Sequence, residues 1–157
     1  MTPAIKLLNQ TKIQFQVHEY EHEVSSESYG LEAADKLHVE AARVFKTLVV
    51  NLDGKELAVG ILPVSHMLSM KLIAKALGAK KAAMADKAVV ERTTGYVLGG
   101  VSPLGQKKRL QTVIDQSAMQ YNTIYISAGR RGLEIELPPE DLKQLLRGTF
   151  VDICANI

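Results

Sequence analysis

The chain has 157 residues, 46% of them hydrophobic and 23% charged, a balance that excludes a disordered or low-complexity chain and suits one domain over residues 1–157. No apolar run approaches the roughly 20 residues of a membrane-spanning helix, and Met1-Thr2-Pro3-Ala4-Ile5-Lys6 lacks the basic and apolar regions of a signal peptide. The lone cysteine, Cys154, excludes an internal disulfide, so a soluble, cytoplasmic protein is expected. Net charge is only +2, yet residues 1 to 40 carry three basic against seven acidic groups, and residues 71 to 131 carry eleven against three. A basic centre between acidic ends fits a phosphate-rich partner on one face, or simply a solvated basic run.

In chain order, Thr2 and Pro3 form an N-cap and first-turn pair for a short helix with Ala4, Ile5, Leu7 and Leu8 as its apolar stripe. Ile13, Phe15 and Val17 alternate with polar residues and predict a strand running towards Tyr20. Glu23 to Gly30 is unpatterned and expected to be a loop, after which Leu31, Ala33, Ala34 and Leu37 suit a helix. Val44 to Asn51 and Glu56 to Leu62 read as a hairpin turning at Asp53-Gly54 and closed by Pro63. Ser69 caps a helix through Leu77 stopped by Gly78; Lys81 to Met84 leaves room for a short strand; Asp86 caps a helix ending near Gly95. Leu110 to Ile114, Thr123 to Ile126 and Leu133 to Leu137 predict strands, Pro138-Pro139 opens a final helix ending at Gly148, and Phe150 to Ile153 is a last strand. Hairpins mixed with scattered short helices, without repeated strand-helix-strand units, predict an α+β fold.

Familiar catalytic signatures are absent: no Walker loop, no dinucleotide fingerprint, no nucleophile elbow and no Cys-x-x-Cys pair. His18 and His22 have metal-like spacing but no third ligand, so neither a metal nor another cofactor is expected. Lys46 is more informative. Strand periodicity puts it on one face with Val44, Leu48 and Val50, while Phe45, Thr47 and Val49 point the other way. Such a lysine either snorkels to solvent along its stem or is held in a pocket, where low polarity strengthens its pull on a carbonyl, carboxylate or phosphate oxygen. Two glycine-containing loops accompany it. Gly99-Gly100-Val101-Ser102-Pro103-Leu104-Gly105, followed by Lys107, Lys108 and Arg109, is either a cradle for an oxyanion or nucleotide, or a wide turn before a strand. Ser127-Ala128-Gly129-Arg130-Arg131-Gly132 repeats hydroxyl, glycine and arginine between two predicted strands, and its arginines either grip phosphate or lie exposed.

With Thr2-Pro3-Ala4, Phe45-Lys46-Thr47-Leu48, Thr94-Gly95-Tyr96, the segment from Gly99 to Lys108 and Ser127 to Leu133, the sequence resembles the YbaK family of free-standing aminoacyl-tRNA deacylases, relatives of the editing insertion domain of prolyl-tRNA synthetase. The resemblance implies a mixed, mostly antiparallel, barrel-like sheet flanked by short helices. It also implies removal of cysteine from mischarged Cys-tRNA(Pro), with Cys-tRNA(Cys) as a further substrate. Lys46, Gly99 and Gly100 then take the catalytic positions, and Tyr20, Tyr29, Thr47, Tyr96, Val101, Ser102, Ser127 and Glu134 those of substrate binding. Tyr29 stands where the family pattern has phenylalanine. Lys107, Lys108, Arg109, Arg130 and Arg131 are the candidate contacts for tRNA phosphates.

In the family's mechanism the substrate's own thiol attacks the ester, which fits the absence of a serine, cysteine or histidine nucleophile. Prolyl-tRNA synthetase, in a ternary complex with tRNA(Pro), is the implied partner, and no membrane is involved. The alternatives are a deacylase for another small amino acid, such as alanine, and a non-catalytic module that binds tRNA or the synthetase.

Overall fold

The computed structural model describes residues 1–23 and 29–156; the central part of the expected loop from Glu23 to Gly30 lies outside the described residues. Helix α1 (Pro3–Asn9) starts where the sequence predicts, with the Thr2 hydroxyl accepting a hydrogen bond from Ile5 N and donating one to the Ala128 carbonyl. Its Ala4 and Leu8 are fully buried in the main core. Strand β1 (Gln16–Glu19) begins later than the alternation at Ile13 suggests. Its partner is β7 (Leu133–Leu137), paired from Gln16 with Glu136 to Glu19 with Leu133. Pro138 and Pro139 follow β7 and have no N–H to extend that ladder, so Ile13 and Phe15 pack against the core from irregular backbone instead.

Helix α2 (Tyr29–Leu37) precedes the hairpin of β2 (Phe45–Leu52) and β3 (Glu56–Pro63), which turns at Asp53-Gly54 with positive φ at both residues, as a type I′ turn requires. Helix α3 (Met70–Ala76) is capped by the Ser69 hydroxyl, which accepts from Leu72 N. Strand β4 (Ala82–Met84) and helix α4 (Lys87–Thr94) follow. The remaining elements are β5 (Gln111–Asp115), β6 (Ile124–Arg130), α5 (Pro139–Leu146) and β8 (Thr149–Val151). The segment from Ser127 to Arg130, expected as loop, is strand with an irregularity in the pairing between Ser127 and Arg130. Strand β8 lies earlier than expected, because Ile153 instead donates its N–H to Asp115 Oδ1 and Cys154 bridges to Leu68.

Two sheets result. One is antiparallel in the order β1-β7-β6; the other runs β4-β2-β3-β5-β8, with β5 and β8 added in parallel to an antiparallel hairpin. The α+β class and the mostly antiparallel pairing stand, but the expected barrel does not close: among the described residues a single parallel bridge, Val44 to Tyr125, joins β6 to the chain entering β2. Both faces of the larger sheet are covered. Phe45 and Val49 enter the main core with Ile61, Ile114 and Ile126, while Val50 and Leu52 face a second cluster with Ile73, Val113 and Ile153. Burial on both faces suits a sheet that carries parallel strands.

Candidate active site at the open edge of β2

Strand β4 pairs only with Val50, Asn51 and Leu52 of β2. Ala85 N donates to Val49 O and Asp53 N to Lys81 O, so odd-numbered residues of β2 direct their backbone groups towards β4. Before Val49 that edge has no β4 partner. A cavity of about 400 Å³ opens there, between β2, the hairpin of β6 and β7, the start of α2 and the Gly99 loop. By the same alternation Thr47 turns its backbone N–H and C=O to this edge, and its side-chain Oγ1 is buried without a hydrogen-bond partner among the described residues. Sequence reading cannot find that opening, because it depends on where β4 stops.

Lys46 lines the cavity and is half-buried, its stem on the side of β2 that carries Leu48 and Val50. The snorkelling and pocket placements therefore merge: the residue lies on the apolar face of β2 and also lines the cavity. Burial lowers the ammonium's pKa below the ordinary 10.5, and among the described residues no carboxylate forms an ion pair with it. An ammonium in this setting is poised for an anionic or polarised oxygen.

Gly99 lines the opposite wall with φ of +94°, and a Cβ there would come within 2.4 Å of Tyr29 Cε2, so only glycine allows the tyrosine ring to lie against this loop. The Tyr29 ring is covered on its other contact by the Arg131 guanidinium, 3.6 Å from the centroid. Gly100, expected at a catalytic position, does not line the cavity: it is buried, its N–H donates to the Val97 carbonyl at 2.9 Å, and a Cβ on it would sit 2.8 Å from Arg130 Cα, so it serves to press the loop onto the β6–β7 hairpin. Tyr20, Tyr29, Thr47, Val101, Ser127, Glu134, Arg130 and Arg131 all line the same cavity. Ser127 Oγ accepts from Gly129 N, and no histidine or cysteine lines the cavity among the described residues.

Glu134 is buried, which alone pushes its carboxyl up to about 8, so near neutrality much of it is protonated. Tyr20 beside it is raised first by burial and then by the charge of Glu134.

Other residues singled out in the sequence lie elsewhere. Tyr96 is buried behind the loop, its hydroxyl donating to the Leu104 carbonyl at 2.6 Å, and burial pushes it up to about 12. Ser102 is fully buried and its Oγ accepts from Leu104 N, so both residues brace the loop from within. Lys107, Lys108 and Arg109 are exposed and do not line the cavity; Arg109 donates to the Leu145 carbonyl, and the Lys107 stem packs on Gly95. His18 and His22 bind Glu136 and Glu32 at 2.8 Å instead of sharing a site. Among the described residues no group of three or more His, Cys, Asp or Glu is placed to hold a metal, and no helix is long and apolar enough to cross a membrane.

Residues 27–145 match the family described as the aminoacyl-tRNA editing domain. The chain belongs to that family. This editing domain is 39% identical to an Enterococcus faecalis protein, EbsC, named as a candidate Cys-tRNA(Pro)/Cys-tRNA(Cys) deacylase, over 97% of the chain and 92% of the relative. It is 26% identical to the uncharacterized protein YwhH of Bacillus subtilis over 80% of each chain. Two solved structures share the fold. Hypothetical protein APE2540 has a TM-score of 0.87 at 20% identity, covering 98% of this chain and 99% of that one. A candidate trans-editing enzyme for prolyl tRNA synthetase has a TM-score of 0.80 at 21% identity, covering 90% and 87%. The editing domain is thus an enzyme whose substrate class is aminoacyl-tRNA and whose chemistry is deacylation.

Proposed function

We propose that this editing domain removes cysteine from mischarged Cys-tRNA(Pro), and from Cys-tRNA(Cys), with the substrate's own thiol as nucleophile. The observation that carries the reading is the half-buried Lys46 ammonium, without an ion pair among the described residues, in a cavity it shares with Gly99 and whose described lining holds no histidine or cysteine. The thiol sulfur bonds to the ester carbonyl carbon, the bond from that carbon to the ribose oxygen breaks, and the thiol proton ends on the departing ribose hydroxyl. The resulting cyclic thioester is opened by water to free cysteine. Lys46 and the backbone amide of Gly99 serve the developing oxyanion, which needs fixed donors in a site of low polarity, whereas the Gly100 N–H is already committed to the Val97 carbonyl. Folding the side chain back onto the ester supplies the proximity that a separate nucleophile would otherwise provide.

Tyr20, Tyr29, Thr47, Val101, Ser127 and Glu134 shape the amino-acid side of the cavity, with Tyr96 and Ser102 fixing the loop from behind. Arg130 and Arg131 at the cavity hold the phosphate of the terminal adenosine, and Lys107, Lys108 and Arg109 meet the tRNA body. The name of the Enterococcus relative supports the choice of cysteine. With no base-reading motif in the sequence, selection of tRNA(Pro) falls to prolyl-tRNA synthetase in a ternary complex, in the cytoplasm where tRNA is charged.

The test offers the purified protein Cys-tRNA(Pro), Ala-tRNA(Pro), Pro-tRNA(Pro) and an S-methylcysteinyl ester. Release of cysteine alone, lost in Lys46→Ala, is the expected result. Release of alanine but not cysteine makes the protein a deacylase for a different small amino acid, and equal cleavage of the S-methyl ester overturns the thiol mechanism. Binding without release of any amino acid leaves a non-catalytic module.

A further inference from the structure

A second, larger cavity of about 680 Å³ lies beside the first, under the β2–β3 turn and against β4 and the start of α4. That volume lies within the range of small-molecule sites. Met84, 49% exposed, lines both cavities, so they adjoin across one side chain. Asn51 lines it, and its Oδ1 is buried with no hydrogen-bond partner among the described residues. Buried polar atoms without partners are rare, and one in a cleft wall points to a missing ligand group. The torsion at the end of an asparagine side chain is broad, so the carboxamide turns to offer Oδ1 to the cleft without backbone movement.

Around the rim stand the exposed Lys55, Lys80 and Lys81, none ion-paired among the described residues. Two carboxylates share the cleft. Asp53 is committed to the turn, accepting from the backbone N–H groups of Lys80 and Lys81 at 2.8 to 3.3 Å. Asp86 precedes α4 without making a side-chain capping bond, which leaves its oxygens as acceptors.

Thr47 in the first cavity and Asn51 in the second lie on the same face of β2, four residues or roughly 13 Å apart along the strand. A chain whose terminal unit occupies the first cavity therefore runs on into the second.

We propose that this second cleft binds the cytidine preceding the terminal adenosine of the acceptor end, its phosphate on Lys55, Lys80 and Lys81 and its amino group on Asn51 Oδ1. The inference rests on the substrate reading above. Asp86 accepts from the ribose 2′-hydroxyl, a group that distinguishes RNA from DNA. The cleft thereby reads the universal end of tRNA and not the identity of any one tRNA.

The test uses unacylated CpCpA, CpUpA and adenosine as probes, with the full chain and two variants, Asn51→Ala and the double substitution Lys80→Glu/Lys81→Glu. Binding is measured by anisotropy of labelled trinucleotides and by calorimetry. The full chain is expected to bind CpCpA at least about tenfold more tightly than adenosine, and each variant to lose about tenfold for CpCpA and nothing for adenosine. Replacing the middle base by uracil, which has no amino group, weakens binding by the full chain but not by Asn51→Ala. The proposal is overturned if CpCpA fails to bind or binds no more tightly than adenosine. It is equally overturned if the lysine pair, exposed and tolerant of change, leaves CpCpA affinity intact. Because the probes carry no amino acid, failure to deacylate any tRNA would remove the proposed function while leaving this result to stand or fall separately.

Discussion

Glu134→Gln isolates the cost of the buried carboxyl in the cavity. The group titrates at 4.5 in ordinary surroundings and is pushed up to about 8 by burial. At 1.36 kcal/mol per pH unit, that rise corresponds to about 5 kcal/mol between the protonated and ionised forms in the folded protein. Since the folded protein binds this proton more tightly than the unfolded chain, the contribution is fully present below pH 4.5, declines as pH rises and is gone above about 8. At pH 7 about 3 kcal/mol has already been lost. Glutamine has the shape of the protonated acid and does not titrate. Urea unfolding at pH 4, 7 and 8.5 should show the two proteins about equally stable at pH 4 and the variant several kcal/mol more stable at pH 8.5, after other titrating groups cancel in the difference. Parallel stability curves for the two proteins would refute the reasoning, because they would mean that Glu134 ionises without penalty.

Two further outcomes follow from the same geometry. Gly99→Ala places a Cβ at φ of +94° and 2.4 Å from the Tyr29 ring, so it should cost about 1–3 kcal/mol in thermal or urea unfolding and sharply reduce deacylation as Tyr29 is displaced. The rate of deacylation, corrected for spontaneous ester hydrolysis, should fall on an alkaline limb centred below 10.5, because burial lowers the Lys46 pKa and the ammonium is the active form. A limb at or above 10.5 would contradict that assignment.

The hairpin of β2 and β3 and the capped starts of α1 and α3 were legible because each rests on local chemistry: a type I′ turn at Asp53-Gly54 and hydroxyl caps at Thr2 and Ser69. Strand ends decided by partners were not. The late start of β1 follows from the prolines after β7, and the extension of β6 to Arg130 follows from pairing with Leu133. Period-two reasoning placed Lys46 on the correct face but could not say that the edge beside it is open. Tyr96 shows the complementary limit. An aromatic residue near a glycine loop has the same signature whether it faces a ligand or, as here, donates to Leu104 from behind the loop. Asn51 gave no sequence signal, since an asparagine near a turn is ordinary and only its buried, partnerless oxygen sets it apart.

The open edge of β2 has a consequence for the fate of the molecule among its copies. An unpaired strand edge is a template on which a second chain can add, and folded proteins commonly guard such edges with an inward-pointing charge, lysine above all. Lys46 stands on that edge, where a docking strand would have to bury its ammonium between two apolar layers. The residue proposed for the reaction thus also carries the kind of charge that guards such edges, so both demands would fall on one position.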